Sequence, residues 1–167
     1  MTQMTNNGKR VQVRDWMSTK LFVVETFDSI AVARQLMAKQ RVNQLPVTEN
    51  ETLVGIVTDR DIRDAYPTSM LINRGKEIDE FAEKITVEEV MSHNVFVVKP
   101  DTNLSDAVKL LRKHRIGSLP VLDNKELVGI ITRSDILDFV LSGGQLAQAK
   151  VSNKSTKKGR GAKKRKK

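Results

Sequence analysis

The chain has 167 residues, 39% hydrophobic and 29% charged, which is enough apolar material for one ordinary domain or for two half-size units sharing a core. It has no cysteine, which excludes a disulfide framework, thiolate metal sites and a cysteine nucleophile; no apolar run approaches the ~18 residues that span a bilayer, and the opening MTQMTNNGKR lacks a signal-type apolar stretch, so a cytoplasmic setting is expected. The formal net charge of +9 belongs to the end of the chain: ten of the 29 Lys and Arg and none of the 20 Asp and Glu fall in residues 150–167, leaving 19 basic and 20 acidic residues before them, so the body is near neutral and is not read as a basic nucleic-acid-binding face.

In chain order, residues 1–12 are polar and read as a flexible N-terminus. The first unit spans 13–65. Phe22–Val24 is a short strand pattern, followed by Ile30, Ala33, Leu36 and Met37 at helical spacing with Asp28 as the expected N-cap. Leu45–Val47 and Leu53–Thr58 are strands joined through Glu49-Asn50-Glu51 as a hairpin, and a last helix ends near Ala65. Residues 66–86 form a linker that is partly helical, because Ile78, Phe81, Ala82 and Ile85 share a helical stripe.

The pattern then starts again. Val87–Asp138 aligns with Val13–Asp64 at a constant offset of 74, with 22 identities in 52 positions. Phe96–Val98 repeats the first strand, and Leu104, Ala107, Val108 and Leu111 repeat the helix after Thr102-Asn103. Leu119–Leu122 and Leu127–Thr132 repeat the hairpin around Asp123-Asn124-Lys125, and a last helix ends near Leu141, stopped by Ser142-Gly143-Gly144. The second unit spans 87–141, and 142–167 is a basic, low-complexity tail expected to be disordered. The fold class is α/β (α+β): two β-α-β-β-α units packed sheet to sheet with pseudo-twofold symmetry, since one unit alone leaves a sheet face uncovered.

Two places in each copy carry chemistry. The first is Gly55-Ile56-Val57-Thr58-Asp59-Arg60-Asp61, matched by Gly129-Ile130-Ile131-Thr132-Arg133-Ser134-Asp135. A strand ends in Thr and a helix opens with Asp three positions on, which reads as a helix cap. It also reads as a ligand grip, because helix N-termini attract anions and a carboxylate accepts two hydrogen bonds from the cis-diol of a ribose. On that reading Asp61 and Asp135 hold sugar, and phosphate goes to Arg60, or to Arg133 and Ser134. The two readings are compatible. The second place is Arg41-Val42-Asn43-Gln44-Leu45-Pro46-Val47, matched by Arg115-Ile116-Gly117-Ser118-Leu119-Pro120-Val121. Each Pro removes a backbone donor at a strand start, and free backbone groups beside it can read a flat heterocycle, although a plain helix-to-strand turn uses the same residues. His93 and His114 are the only histidines and lack metal-ligand spacing. No P-loop, nucleophile elbow or dinucleotide glycine fingerprint is present. Trp16 and the six Met residues are read as packing.

The doubled β-α-β-β-α unit, each copy with h-x-x-L-P-V and then G-h-h-T-x-x-D, resembles a tandem CBS domain pair, or Bateman module, from Val13 to about Val140. The spacer beginning Ala65-Tyr66-Pro67-Thr68-Ser69 is also similar to stand-alone CBS proteins of the acetoin-utilisation type. The resemblance implies a non-enzymatic module binding AMP, ADP or ATP, or else S-adenosylmethionine or NAD(H), in two clefts and passing a conformational change to a partner. It implies Thr58 with Asp61, and Thr132 with Asp135, on the riboses. Val42, Asn43 and Gln44, and Ile116, Gly117 and Ser118, would border the adenines. It also implies flat homodimers. Because Asp59-Arg60 is locally neutral and Arg133-Ser134 is positive, the second-repeat site is expected to bind phosphorylated adenosine better. Two rivals stand beside this: a scaffold that contacts nucleic acid or an acidic protein through residues 150–167, and an enzyme whose site is not recognised.

Overall fold

The computed structural model describes residues 10–66 and 76–144. The first nine residues, positions 67–75 of the linker, and the basic tail from 145 on with its expected disorder lie outside the described residues. A 3-10 turn, Val13–Asp15, precedes β1 (Val24–Glu25), α1 (Ile30–Gln40), β2 (Gln44–Glu49), β3 (Thr52–Thr58) and α2 (Asp59–Asp64). Then come α3 (Lys76–Lys84), α4 (Val87–Val90), α5 (Leu104–His114), β4 (Ser118–Asp123), β5 (Glu126–Thr132) and α6 (Arg133–Leu141). The stripe expected in the linker is α3. No helix among the described residues is long and apolar enough to cross a membrane.

Both hairpins turn through two residues at positive φ, Asn50 (49°) and Glu51 (65°), and Asn124 (47°) and Lys125 (76°). Two such residues give the turn whose twist matches paired strands. The register is the same in both copies: Gln44 faces Thr58 and Glu49 faces Thr52, while Ser118 faces Thr132 and Asp123 faces Glu126. A bulge interrupts each ladder, after Val47 and after Val121. Helices α1 and α5 both end on an arginine in the left-handed region, Arg41 (φ 57°) and Arg115 (φ 56°).

Two expectations change. The first strands are shorter than Phe22–Val24 and Phe96–Val98. Only Val24–Glu25 joins β2, in parallel, and in the second copy only Val98 makes a single bridge, to Val121. A backbone donor explains the difference. The Thr26 N–H donates to the Thr48 carbonyl at 3.2 Å, but position 100 is proline and has no N–H to give. The N-cap of α1 is Ser29, whose hydroxyl accepts from the Val32 N–H at 3.3 Å. Asp28 instead accepts from the Glu25 N–H at 2.8 Å and tightens the turn before the helix.

Each repeat's lead-in packs on the other repeat. Val13, Trp16 and Met17 join the core of the second half, with Val98, Leu104, Leu119 and Phe139. Ala82, Val87 and Met91 join the core of the first half, with Ile30, Leu45 and Val57. Val13 and Val87 are both fully buried, so each crossing contributes about 2 kcal/mol through that side chain alone. Trp16 meets Phe139 edge-on, with ring centroids 5.2 Å apart. Backbone pairs seal the exchange: Ser18 and Ile130 bond both ways (2.9 and 3.0 Å), as do Ser92 and Ile56 (2.9 and 3.1 Å). Thr86 and Glu89 close a capping box at α4. The Thr86 backbone N–H and hydroxyl hold the Glu89 carboxyl below its ordinary value, so that contribution is present above the ordinary pKa and fades as pH falls through the lowered one.

The glycine of each G-h-h-T-x-x-D motif lies where the crossing methionine comes down. Met91 covers Gly55, leaving no space for a side chain there, and Met17 covers Gly129. This is the physical reason for a glycine at that place in both copies. A Cβ at position 129 would stand 2.7 Å from the Met17 Sδ and 3.1 Å from the Ser18 carbonyl oxygen. Gly129→Ala is therefore expected to cost about 1–3 kcal/mol by overpacking, read as a lower urea midpoint with an unchanged slope. An unchanged midpoint would contradict the docking of the crossing segment.

Candidate functional site

The hairpin register brings the two chemical motifs together. Because Gln44 faces Thr58 and Ser118 faces Thr132, the wall segment and the Thr-x-x-Asp turn lie side by side at the same end of each hairpin. The wall is stitched to the helix start in both copies: the Asn43 carbonyl accepts from the Asp59 N–H (3.0 Å) and the Gly117 carbonyl from the Arg133 N–H (3.1 Å). Between the two ends runs a continuous crevice of about 1000 Å³ bordered by both repeats.

The capping reading is realised in both motifs. Asp61 Oδ2 accepts from the Thr58 N–H (2.8 Å) and hydroxyl (2.7 Å), while the Thr58 hydroxyl accepts from the Asp61 N–H (3.3 Å). Asp135 and Thr132 repeat this at 2.7, 2.7 and 3.3 Å. Each box uses one carboxylate oxygen. The other, Oδ1, has no hydrogen-bond partner among the described residues, and Thr58, Asp61, Thr132 and Asp135 are all half-buried. Capping thus leaves an acceptor spare on each aspartate.

Thr58, Asp61 and Thr132 border the crevice, and Asp135 is held beside Thr132 without itself bordering it. All six wall positions border it, Val42, Asn43 and Gln44 from one repeat and Ile116, Gly117 and Ser118 from the other. So do Arg60, Arg133 and Ser134. Arg133 is anchored through its Nε on the Ile116 carbonyl at 3.0 Å, so its two terminal nitrogens are left for a ligand. In the first repeat the same position is Asp59, which pairs with Arg63 at 3.0 Å.

Among the other residues that border the crevice, and that the motifs did not mark as site residues, are two matched pairs: Arg41 with Arg115, and Phe22 with Phe96. The two arginines sit on the left-handed ends of α1 and α5, and the rings sit on the loops that follow the crossing segments. Their signal was present, since each pair is identical between the copies. Lys20 lies 5.3 Å from the Phe22 ring centroid, and His114, at the C-terminus of α5, stacks on Phe96 at 3.8 Å. The crevice carries six Lys or Arg side chains against Asp59 and Asp61. A near-neutral body therefore presents a local positive field there, suited to an anion. Among the described residues no group of three His, Asp or Glu gathers to hold a metal.

A family model described as CBS domain matches residues 13–68 and again 87–142. The chain is 29% identical to a crystal structure ascribed to an acetoin utilization protein (AcuB) of Vibrio cholerae, covering 80% of this chain and 93% of that one at a TM-score of 0.67. It is 31% identical to CBSX2 of Arabidopsis thaliana solved in complex with AMP, over 79% and 97% of the two chains, at 0.64. It is 27% identical to the CBS domain pair of protein MJ0100 solved with 5′-methylthioadenosine and S-adenosyl-L-methionine, over 81% and 99%, at 0.67.

The boxes themselves make a stability prediction. Thr58→Val and Thr132→Val each remove the capping hydroxyl and should cost about 1 kcal/mol, nearly additively because the boxes share no partner. Urea unfolding of the two single variants and the double variant checks this. A neutral Thr132→Val would show that the box does not hold α6.

Proposed function

The chain belongs to the CBS domain family, and from that premise we propose that it is a non-enzymatic regulatory module that binds phosphorylated adenosine in the crevice between its repeats. One observation carries the reading: two Thr-x-x-Asp boxes, each with a spare carboxylate oxygen, stand beside two wall segments at the ends of one positively charged crevice, which Asp61 borders itself and which the second box borders through Thr132. The spare oxygens suit ribose hydroxyls and the arginines suit phosphate. The excess of cations favours AMP, ADP or ATP, with NAD(H) next, over the cationic S-adenosylmethionine bound by one structural relative.

The two ends differ in charge. The Asp59–Arg63 pair neutralises the first, while Arg133 keeps its terminal nitrogens free at the second. The second end is therefore the stronger position for phosphate, with Arg133 and Ser134 on that group; Arg60 serves the first. Bound nucleotide shifts the balance between arrangements of the repeats only by its different affinity for them. The output passes to a partner in a cytoplasmic setting. A second copy of the chain is the first candidate, because α6 exposes Leu137, Val140 and Leu141 on one face. A sedimentation mass of one copy would remove that candidate.

The alternative reading, a scaffold contacting nucleic acid or an acidic protein, is favoured by the ten basic residues of 150–167. Calorimetry with AMP separates the two. The full chain should bind AMP, Asp135→Ala should weaken the tighter event about tenfold or more through loss of a charged acceptor, and deletion of 150–167 should leave it unchanged. Tight binding abolished by Asp61→Ala and untouched by Asp135→Ala would reverse the ranking. No AMP binding, with polyanion binding lost on deleting the tail, would establish the scaffold.

A further inference from the structure

The walls are not copies of each other. Asn43-Gln44 in the first repeat stands where Gly117-Ser118 stands in the second. The difference is complementary in size. The Gln44 carboxamide reaches across to the bare backbone of Gly117, where a Cβ would lie 3.0 Å from its Oε1. Ser118, the counterpart of Gln44, is 4% exposed and its buried hydroxyl has no hydrogen-bond partner. No protein group among the described residues bonds the Gln44 carboxamide either. The Ser118 hydroxyl is closed off from the crevice, whereas the Gln44 carboxamide borders it, belonging to the first repeat by chain position and to the second by contact.

We propose that Gln44 couples the two nucleoside positions, its single carboxamide serving whichever base is bound and so making the positions compete. This rests on the proposed nucleotide reading. A base at the second position meets the Gln44 carboxamide laid over Gly117. A base at the first position needs the same carboxamide over its own wall, opposite Thr58. One side chain in one rotamer serves one base, so filling either position weakens the other. Such coupling is reciprocal.

The test uses AMP and the full chain. Asp61→Ala leaves the second position to be measured alone, and Asp135→Ala leaves the first. Gln44→Met keeps the length and removes the hydrogen-bonding head. In both single-position backgrounds Gln44→Met should weaken AMP about threefold to tenfold, the loss of one hydrogen bond. In the otherwise wild-type chain it should bring the two stepwise constants closer, toward their ratio for independent positions. The Gln44 side-chain NH₂ resonances should shift when AMP fills the second position in the Asp61→Ala background. Weakening confined to the first position, with those resonances unmoved, would make Gln44 a local wall residue and overturn the coupling. Two AMP bound with an unchanged stepwise ratio in Gln44→Met would overturn it as well. Failure of every variant and the parent chain to bind AMP would instead overturn the nucleotide reading, and the coupling with it.

Discussion

The backbone at Gly55 and Gly129 has to admit a methionine carried by the opposite repeat, and the arrangement of the protein follows from that contact. A side chain at either position would push the crossing segment off the hairpin. With glycine there, Met17-Ser18 docks on β5 and Met91-Ser92 docks on β3, each through a paired backbone bridge. The lead-in turns then close cores that neither repeat closes by itself, through Val13 on one side and Val87 on the other. The loops that leave the crossings, from Ser18 to Phe22 and from Ser92 to Phe96, run along the crevice and bring its aromatic rings. The crevice is therefore a property of the pair. One repeat alone would possess a Thr-x-x-Asp box but not the space in front of it.

In the proposed reading, stability and recognition share the same atoms without conflict. The Thr58–Asp61 and Thr132–Asp135 boxes satisfy free backbone donors at the starts of α2 and α6. They consume one carboxylate oxygen each, so the helix cap also orients the acceptor that a sugar would meet. Some of the divergence between the copies falls around this fixed frame. Asp59 against Arg133 sets the local charge, and Gln44 against Ser118 with Asn43 against Gly117 sets the width and polarity of the walls. A duplicated scaffold has thereby acquired two unequal ends on one opening.

Much of this was legible in the sequence because it is local. The constant offset of 74 revealed the duplication, alternation and turn residues placed both hairpins, and the Thr-x-x-Asp spacing marked both boxes. What was missed depends on partners distant in sequence. Strand length was limited by Pro100, which withholds the donor that Thr26 supplies in the other copy. The crossing of the lead-ins was not visible from an alignment that reads each unit as contiguous, although the shared glycines were its trace. Arg41 and Arg115 escaped notice as crevice residues because they sit in a left-handed helix end where glycine is the usual resident. Their identity in both copies was the available signal.

The most direct measurement is an amide resonance map of the isotope-labelled chain titrated with AMP. If the crevice holds the nucleotide, shifts should concentrate at 41–44, 58–61, 115–118 and 132–135, with the crossing bridges at Ser18 and Ser92 moving in step and the outer faces of α3 and α5 unmoved. Shifts confined to those outer faces, or none at AMP concentrations that saturate calorimetric binding, would contradict a nucleotide seated between the repeats.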